Sequence, residues 1–247
     1  MSQQLHYIAM TGLSAAMDRI TAATNNLANI NTTGYKAQRP VFAAVPLYNQ
    51  GLPDRVDVEA RQDTADFRAG TMEQTGRSLD VAVSGNGWIA VRASDGTVAL
   101  TRNGALSIAP TGILQTSSGQ PVLGNGFAPI TLPNLQSITI GSDGTISGVP
   151  QGQPPDQVAT LGRIMLTNPP NTSLVRRGDG LFQTNDGQPK PDAAVQLSVG
   201  ALEGSNADSV SLMIGLIENT RMFQMQSELV RLTGNLGQGQ GTPLSLT

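Results

Sequence analysis

The start of the chain carries a heptad pattern that predicts a helix made to pack against another helix. Its apolar residues alternate steps of four and three, the spacing of a coiled-coil seam; they are Ala9, Leu13, Ala16, Ile20, Ala23, Leu27 and Ile30. Asn29, Asn31 and Gly34 are residue types that end helices, so we expect one helix over residues 1–33. The alternative is that this stripe simply packs on the core of its own domain.

The other end of the chain carries a second helical pattern, which favours pairing of the two chain ends. It covers residues 205–236, with Ser205 or Asn206 as the expected N-cap and Asp208 in the first turn. Its apolar residues cover too many faces for a lone surface helix, so part of them should pack on the first helix and part should meet other molecules. The residues we expect to serve assembly are Val210, Ile214, Ile217, Met222, Phe223, Met225, Leu229 and Leu232.

The region between the helices predicts strands rather than further helices. Residues 37–78 contain Pro40, Pro46 and Pro53 with weak apolar content, which indicates an extended connector. From Leu79 onward, short alternating runs are separated by Asn-Gly and Asp-Gly pairs, and both residues of such a pair should adopt positive φ in a two-residue hairpin turn. These pairs are Asn86-Gly87, Asp95-Gly96, Asn103-Gly104, Asn125-Gly126, Asp143-Gly144, Asp179-Gly180 and Asp186-Gly187.

The combined patterns predict an α+β fold. It consists of a discontinuous coiled-coil domain, built from the N- and C-terminal helices, and a central all-β domain. The expected boundaries are 1–36 for the N-terminal helix, 37–78 for the connector, 79–203 for the β-rich domain and 204–247 for the C-terminal helix with a short tail.

The composition excludes several kinds of chemistry. The chain is 13% charged with a net charge of −3, which gives no basic surface for nucleic acid. It has no Cys and only His6, so thiolate chemistry, disulfides and Cys-ligated metals are ruled out. The sequence has no apolar run long enough to cross a membrane and no cleavable signal at its start. We therefore expect no enzyme activity, no catalytic residues, no cofactor and no metal.

Paired carboxylates are the one enzymatic option that the residues leave open, since a glycosidase needs only two suitably spaced acids. The candidates in the β region are Asp80, Asp95, Asp143, Asp179 and Asp186. All of them except Asp80 directly precede a Gly, where the geometry of a turn already explains an Asp.

Several segments resemble the bacterial flagellar rod and hook protein family. The N-terminal signature of that family is matched by Asn25-Asn26-Leu27-Ala28-Asn29 followed by Thr32-Thr33-Gly34-Tyr35-Lys36. The motif residues that we single out are Asn25, Asn26, Leu27, Asn29, Thr33, Gly34 and Tyr35. Further similar segments follow in the family's order, at 79–83, 87–88, 101–104, 121–124, 138–144, 200–206 and 221–226. The run Phe223-Gln224-Met225-Gln226 is most similar to the proximal-rod branch.

The resemblance implies a structural subunit of the flagellar basal-body rod, with itself and other rod subunits as partners. It also implies export through the flagellar type III apparatus without a cleaved signal, and assembly of the terminal helices into a torque-transmitting shaft across the periplasm. The residues alone leave a rival, an extracellular β-rich binding module or adhesin that is oligomerised by its helices. A discrete ligand groove within residues 79–200 would favour that rival.

Overall fold

The computed structural model describes the backbone of residues 2–49, 52–154 and 156–239, and side chains of Ile8 and of residues 10–43, 64–154 and 156–232. The chain divides into two compact units. The first, here called the helical unit, comprises the chain up to Ala28, residues 38–65 and the chain from Asp208 onward. The second, here called the β unit, comprises residues 29–37 and 66–207.

The helical unit contains two long helices and two long strands. Helix α1 spans Ser2–Ala28 and helix α2 spans Ser209–Gly239. Strands β1 (Gln38–Asn49) and β2 (Leu52–Ala65) pair antiparallel. Helix α1 contacts α2 on one side and both strands on another. Together with the strands of the β unit, these elements confirm the α+β class.

The hairpin of β1 and β2 occupies most of the range in which the sequence predicts a connector. Its register runs from Gln38 opposite Ala65 to Asn49 opposite Leu52. A ribbon of two strands has unpaired N–H groups along both outer edges, and prolines such as Pro40 are tolerated at such edges. The pairing shifts between Arg39 and Val41, on either side of Pro40. The prolines were therefore weak evidence against strands in this segment.

The β unit is built from short antiparallel strands. The strands are β3 (Met72–Gln74), β4 (Val81–Ser84), β5 (Trp88–Arg92), β6 (Val98–Thr101), β7 (Leu106–Ile108), β8 (Leu114–Thr116), β9 (Leu135–Ile140), β10 (Thr145–Pro150), β11 (Ala159–Arg163), β12 (Leu166–Thr167), β13 (Leu174–Arg176), β14 (Phe182–Thr184), β15 (Gln196–Val199) and β16 (Ala201–Glu203). The largest sheet has five strands in the order β12-β5-β6-β14-β13, and a second has three in the order β11-β10-β9. The remaining described pairs are β15 with β4, β16 with β3 and β7 with β8.

One apolar core fills the β unit. Val81, Ile89, Leu106, Leu114 and Ile146 are fully buried in it. They come from strands of different sheets, so these short ladders share a single hydrophobic interior. Burial of this apolar surface supplies the main driving force for folding.

The turns of the β unit differ from the predicted type. Gly96 has a φ of 81°, but Asp95 before it does not have positive φ, and Phe127 is the only described residue other than Gly that does. Asp95 Oδ1 instead accepts the Thr97 N–H at 2.9 Å. The same bond recurs at Asp143-Gly144 and Asp179-Gly180. The prediction of two positive φ values was wrong here, because the Asp side chains favour three-residue loops closed by a left-handed Gly.

The end of α1 and the start of α2 differ from the predicted residues. Helix α1 ends at Ala28, so Ile30 lies outside it; the Thr32 N–H donates to the Asn29 carbonyl at 3.1 Å in a turn. Helix α2 begins at Ser209, and Asp208 accepts the Ser211 N–H at 3.1 Å. Asp208 is therefore the N-cap, in place of Ser205 or Asn206, because its carboxylate satisfies a free N–H of the first turn.

Candidate functional site

The two helices of the helical unit pack closely and run antiparallel. A Cβ atom at Gly12 of α1 would lie 3.1 Å from Gln226 Nε2 of α2. Further along α1, Arg19 Nη1 donates to Met222 Sδ at 3.9 Å, and its guanidinium lies 4.8 Å from the centre of the Phe42 ring. Residue numbers thus rise along α1 while they fall along α2. Gly12 allows the Gln226 amide to approach the α1 backbone.

The residues predicted for the seam of α1 that lie within the helix and are described are buried or half-buried. Ala16 is buried, and Leu13, Ile20, Ala23 and Leu27 are half-buried. The side chain of Ala9 lies outside the described residues. The small residues at 16 and 23 suit the close approach seen at Gly12.

Helix α1 has a second buried face that the heptad pattern did not predict. Ala22 and Asn26 are both buried. Asn26 Nδ2 donates to the Gln38 carbonyl at 2.9 Å, and the Gln38 N–H donates to Asn26 Oδ1 at 2.7 Å. Asn25 Nδ2 donates to Gln38 Oε1 at 3.2 Å. The paired asparagines of the motif therefore tie the start of β1 to α1. In the sequence, the only sign of this face is that Asn26 follows Ala22 by four residues, which is about one helical turn.

The inner face of α2 differs from the set of residues predicted to serve assembly. Apart from Gly215, its half-buried residues again follow steps of three and four, and they are Ser209, Leu212, Leu216, Asn219, Phe223, Gln226 and Val230. Only Phe223 belongs to the predicted set. Gln226 Oε1 is buried, and no described residue donates a hydrogen bond to it. A heptad pattern read from apolar residues does not single out Asn219 and Gln226, which are the polar members of this inner face.

The remaining predicted residues of α2 face outward. Their exposed fractions run from 37% for Met222 to 63% for Val210 and Met225. The large apolar residues exposed on the two helices are Ile8, Met10, Met17, Val210, Met213, Ile214, Ile217, Met222, Met225, Leu229 and Leu232. Scattered apolar residues on a surface are ordinary, but so many of them on two packed helices are typical of a surface at which proteins associate. We call these residues the outer apolar surface.

The second half of the motif lies in the β unit, where it meets two other segments that resemble the family. The Gly34 N–H donates to the Glu203 carbonyl at 2.7 Å. Gly34 has a φ of 69°, and a Cβ there would lie 2.3 Å from the carbonyl carbon of Arg102. Both the conformation and the lack of space require Gly at this position.

A buried ion cluster joins these three segments. Lys36 Nζ lies 2.6 Å from Glu203 Oε1, and Arg102 Nη1 lies 3.0 Å from Glu203 Oε2. The exposed fractions of the three side chains are only 1%, 6% and 1% for Lys36, Arg102 and Glu203. The Gly70 N–H also donates to Glu203 Oε1 at 3.0 Å. One carboxylate thus compensates two buried cations.

The surroundings keep Glu203 ionised. Burial raises the pKa of this carboxyl, but the hydrogen bond from Lys36, the charge of Arg102 and the Gly70 N–H together outweigh burial, so the pKa lies below its ordinary value. Burial lowers the pKa of Lys36, and Glu203 offsets part of that effect. Burial also raises the pKa of the Tyr35 phenol, against the opposing charge of Arg176.

Aromatic rings and Arg side chains surround the ion cluster. The ring centres of Trp88 and Phe182 are 4.8 Å apart, and Arg102 lies 5.3 Å from the centre of the Trp88 ring. The Arg176 guanidinium lies 5.0 Å from the ring centres of both Tyr35 and Phe182. Cations over ring faces gain electrostatic energy in a site with little water. Tyr35 is therefore held in the same assembly of side chains as its neighbour Lys36.

Asn206 links the segments at which the chain enters and leaves the β unit. Its Oδ1 accepts the Ala37 N–H at 2.7 Å, while its Nδ2 donates to the carbonyls of Asp66 at 2.7 Å and Arg68 at 3.0 Å. The Asp66 N–H in turn donates to the Ala37 carbonyl at 2.8 Å. One side chain thus satisfies backbone groups that no strand pairs.

The β unit also has surface grooves. A groove of about 430 Å³ is lined by residues that include Pro170, Ser173, Lys190 and Asp192. Within the residues the structure describes, no three His, Asp or Glu side chains are grouped to hold a metal ion. Neither of the helices, as far as they are described, is apolar enough over a sufficient length to span a bilayer.

Comparisons with known proteins identify relatives of the whole chain. The chain matches family profiles described as "Flagella basal body rod protein" over residues 7–36, "Flagellar hook protein FlgE/F/G D1 domain" over 82–148 and "Flagellar basal body rod FlgEFG protein C-terminal" over 198–233. It is 39% identical over 231 residues to the flagellar basal-body rod protein FlgF of Salmonella typhimurium, covering 91% of each chain. The corresponding protein of Escherichia coli is 37% identical over the same share of each chain. The rod protein FlgG of Agrobacterium fabrum is 32% identical, over 90% of this chain and 92% of its own.

Proposed function

The chain belongs to the flagellar basal-body rod protein family, and from that premise we propose that α1 and α2 form the coiled-coil core through which it assembles. It is a structural subunit of the basal-body rod, similar to FlgF. The seam residues on both helices follow the heptad spacing of a coiled coil, which supports this part of the proposal.

The outer apolar surface carries the proposal. Its residues are exposed in the single chain, and burial of apolar surface stabilises an interface by roughly 25 cal/mol per Å². A head-to-tail contact that does not close on itself generates a helical assembly, so one set of unlike contacts suffices to build a rod. We assign Val210, Ile214, Ile217, Met225, Leu229 and Leu232 to contacts with neighbouring subunits, and Leu13, Ala16, Ile20, Ala23 and Leu27 to the pairing of α1 with α2.

The other predicted residues take structural roles in this proposal. Asn25 and Asn26 hold β1 against α1, while Gly34 and Tyr35 anchor the motif within the β unit. The proposed domains are a helical domain that includes the hairpin of residues 38–65, and a β domain. The proposed partners are other rod subunits, a second copy of the chain and the flagellar type III export apparatus; catalysis and cofactor or nucleic-acid binding form no part of this function.

A deletion strain tests the proposal. Cells lacking the gene should be non-motile, and a tagged copy should restore swimming and co-purify with basal bodies after detergent extraction. A matched copy with Ile217→Lys and Met225→Lys should be expressed but absent from the basal-body fraction, because both changes place charge on the outer apolar surface. Normal swimming without the gene, or recovery of the wild-type chain only outside basal bodies, would contradict the assignment.

A further inference from the structure

The exposed apolar residues of α2 change face partway along the helix. We label its inner residues by heptad position, with Leu216 and Phe223 at a and Leu212, Asn219 and Gln226 at d. In the first half of the helix, the exposed apolar residues lie at positions b, e and f; they are Val210, Met213, Ile214 and Ile217. In the second half they lie at positions g and c; they are Met222, Met225, Leu229 and Leu232.

The polar residues make the opposite exchange. In the first half, position c holds the polar residues Ser211 and Glu218, and position g holds Gly215, which is half-buried and has no side chain. In the second half, positions b, e and f are all polar, and they hold Arg221, Gln224, Ser227, Glu228 and Arg231. Each half therefore has one apolar sector bounded by polar residues. The sector that is apolar in one half holds no apolar side chain in the other half.

The exchange is too large to reflect the gradual drift of a helix against a heptad repeat. At 100° per residue, the two apolar sectors are offset by roughly a quarter to a third of a turn. Drift of a straight helix against the heptad repeat amounts to about 20° per heptad, and the two sectors are centred only about two heptads apart. A single straight partner helix cannot cover both sectors.

We propose that α2 presents two separate docking faces, one on each half, and that each face receives an apolar helix from a different neighbouring rod subunit. The first, called the outer face, consists of Val210, Met213, Ile214 and Ile217. The second, called the flanking face, consists of Met222, Met225, Leu229 and Leu232. This inference rests on the proposed function, since it divides the same surface between two contacts.

The occupants follow from the position of each face and from the needs of a rod. The flanking face is continuous with the seam between α1 and α2, because g is next to d on the helix and Met222 touches Arg19. A helix docked there would extend the existing helix pair sideways. The outer face borders the seam on its other side, since position e is next to a on the helix. A helix docked there would lie on the opposite side of the helix pair, so it belongs to a different neighbour. An assembly thicker than a single file of subunits needs contacts in two such directions.

Photocrosslinking in cells tests the two faces. A photoreactive benzoylphenylalanine replaces Ile217 on the outer face, Met225 on the flanking face or Gln224 as a polar control beside Met225. Ile217 and Met225 are 55% and 63% exposed, so neither change disturbs the folded chain. Basal bodies are purified after irradiation, and mass spectrometry identifies the crosslinked peptides. Swimming of each strain verifies that the labelled chains are assembled.

The expected result is a high-yield adduct at both 217 and 225, joined to different rod-subunit peptides, with a several-fold lower yield at 224. Adducts at 217 and 225 to one and the same helix segment would overturn the division into two faces but leave the rod function intact. An adduct at only one of the two positions would have the same effect. Swimming cells with no rod-subunit adduct at either position would overturn both the division and the proposed assembly role of α2.

Discussion

At the scale of single residues, Glu203 has the most demanding position in the β unit. Its carboxylate accepts bonds from Lys36, Arg102 and the Gly70 backbone, while its own carbonyl accepts the Gly34 N–H. A buried ion pair adds little net stability compared with apolar packing, because both charges lose their hydration. Removing one member is costly, since the remaining charges stay buried. The ion cluster is therefore better understood as fixing where the motif docks.

Substitution of Glu203 tests this account. Glu203→Gln leaves Lys36 and Arg102 buried without a counter-charge, and we expect the free energy of unfolding to fall by about 3–5 kcal/mol. Urea unfolding of the full chain, followed by fluorescence of Trp88, measures the change. The matched control is Glu73→Gln, which removes an exposed carboxylate on strand β3 of the same unit and should cost less than about 0.5 kcal/mol. Equal losses for the two variants would contradict a special role for Glu203.

Acid should destabilise the β unit through the same carboxyl. Because the pKa of Glu203 is lower in the folded than in the unfolded chain, its contribution is present above the ordinary value of 4.5 and is lost as the pH falls through the folded value. The unfolding midpoint in urea should therefore decrease below about pH 4.5. Asp95 and Asp143 also have lowered pKa values, so a smaller slope should persist in Glu203→Gln. An identical pH profile for both chains would show that Glu203 does not contribute.

At the scale of elements, α1 has two buried faces and so connects its neighbours. One face packs on α2 and the other on the hairpin. Arg19 belongs to both contacts, through Met222 and through Phe42. In an isolated helix, propensity alone gives little stability, so the helical unit depends on these tertiary contacts.

Leu27→Asp should weaken the helical unit and leave the β unit folded. The change places a charge at a half-buried seam position, with an expected loss of about 1–3 kcal/mol in the packing of α1. Thr21→Asp is the control, because Thr21 is exposed on the same helix. Swimming and recovery in basal bodies should be lost only with Leu27→Asp. Trp88 fluorescence, which reports the β unit, should match the wild type in both variants.

The sequence was informative about elements whose evidence is local. The heptad spacing singled out residues from Leu13 to Leu27 that are buried or half-buried in α1, and alternating runs with turn pairs indicated the β region. The burial of Asn26 and Gln226 was not predicted, because it depends on a neighbour, Gln38 in one case and Gly12 in the other. The ion cluster was missed for the same reason, since Lys36, Arg102 and Glu203 are far apart in the chain and only the folded β unit joins them.

At the scale of the whole molecule, the low charge and the outer apolar surface predict how association responds to salt. The chain is 13% charged with a net charge of −3, so screening removes little attraction between copies. Self-association of concentrated protein should persist in sodium chloride and strengthen in ammonium sulfate, which favours apolar burial. Sedimentation velocity measures this, with the Ile217→Lys and Met225→Lys double variant as a monomeric control. Association that disappears at high sodium chloride would point to contacts between charges.

The buried ion cluster of Lys36, Arg102 and Glu203 also limits which substitutions the gene can accumulate at these positions. The codons for these residues lie far apart, yet replacing Glu203 alone leaves two cations buried without a counter-charge, whereas a joint change of all three to well-packed apolar residues need not harm the protein. Mutations occur one at a time, so the route from the ion cluster to an apolar combination passes through a less stable sequence with an unpaired buried charge. The effect of a substitution at one of these positions should therefore depend on the residues at the other two, so the three residues should be kept or exchanged as a set.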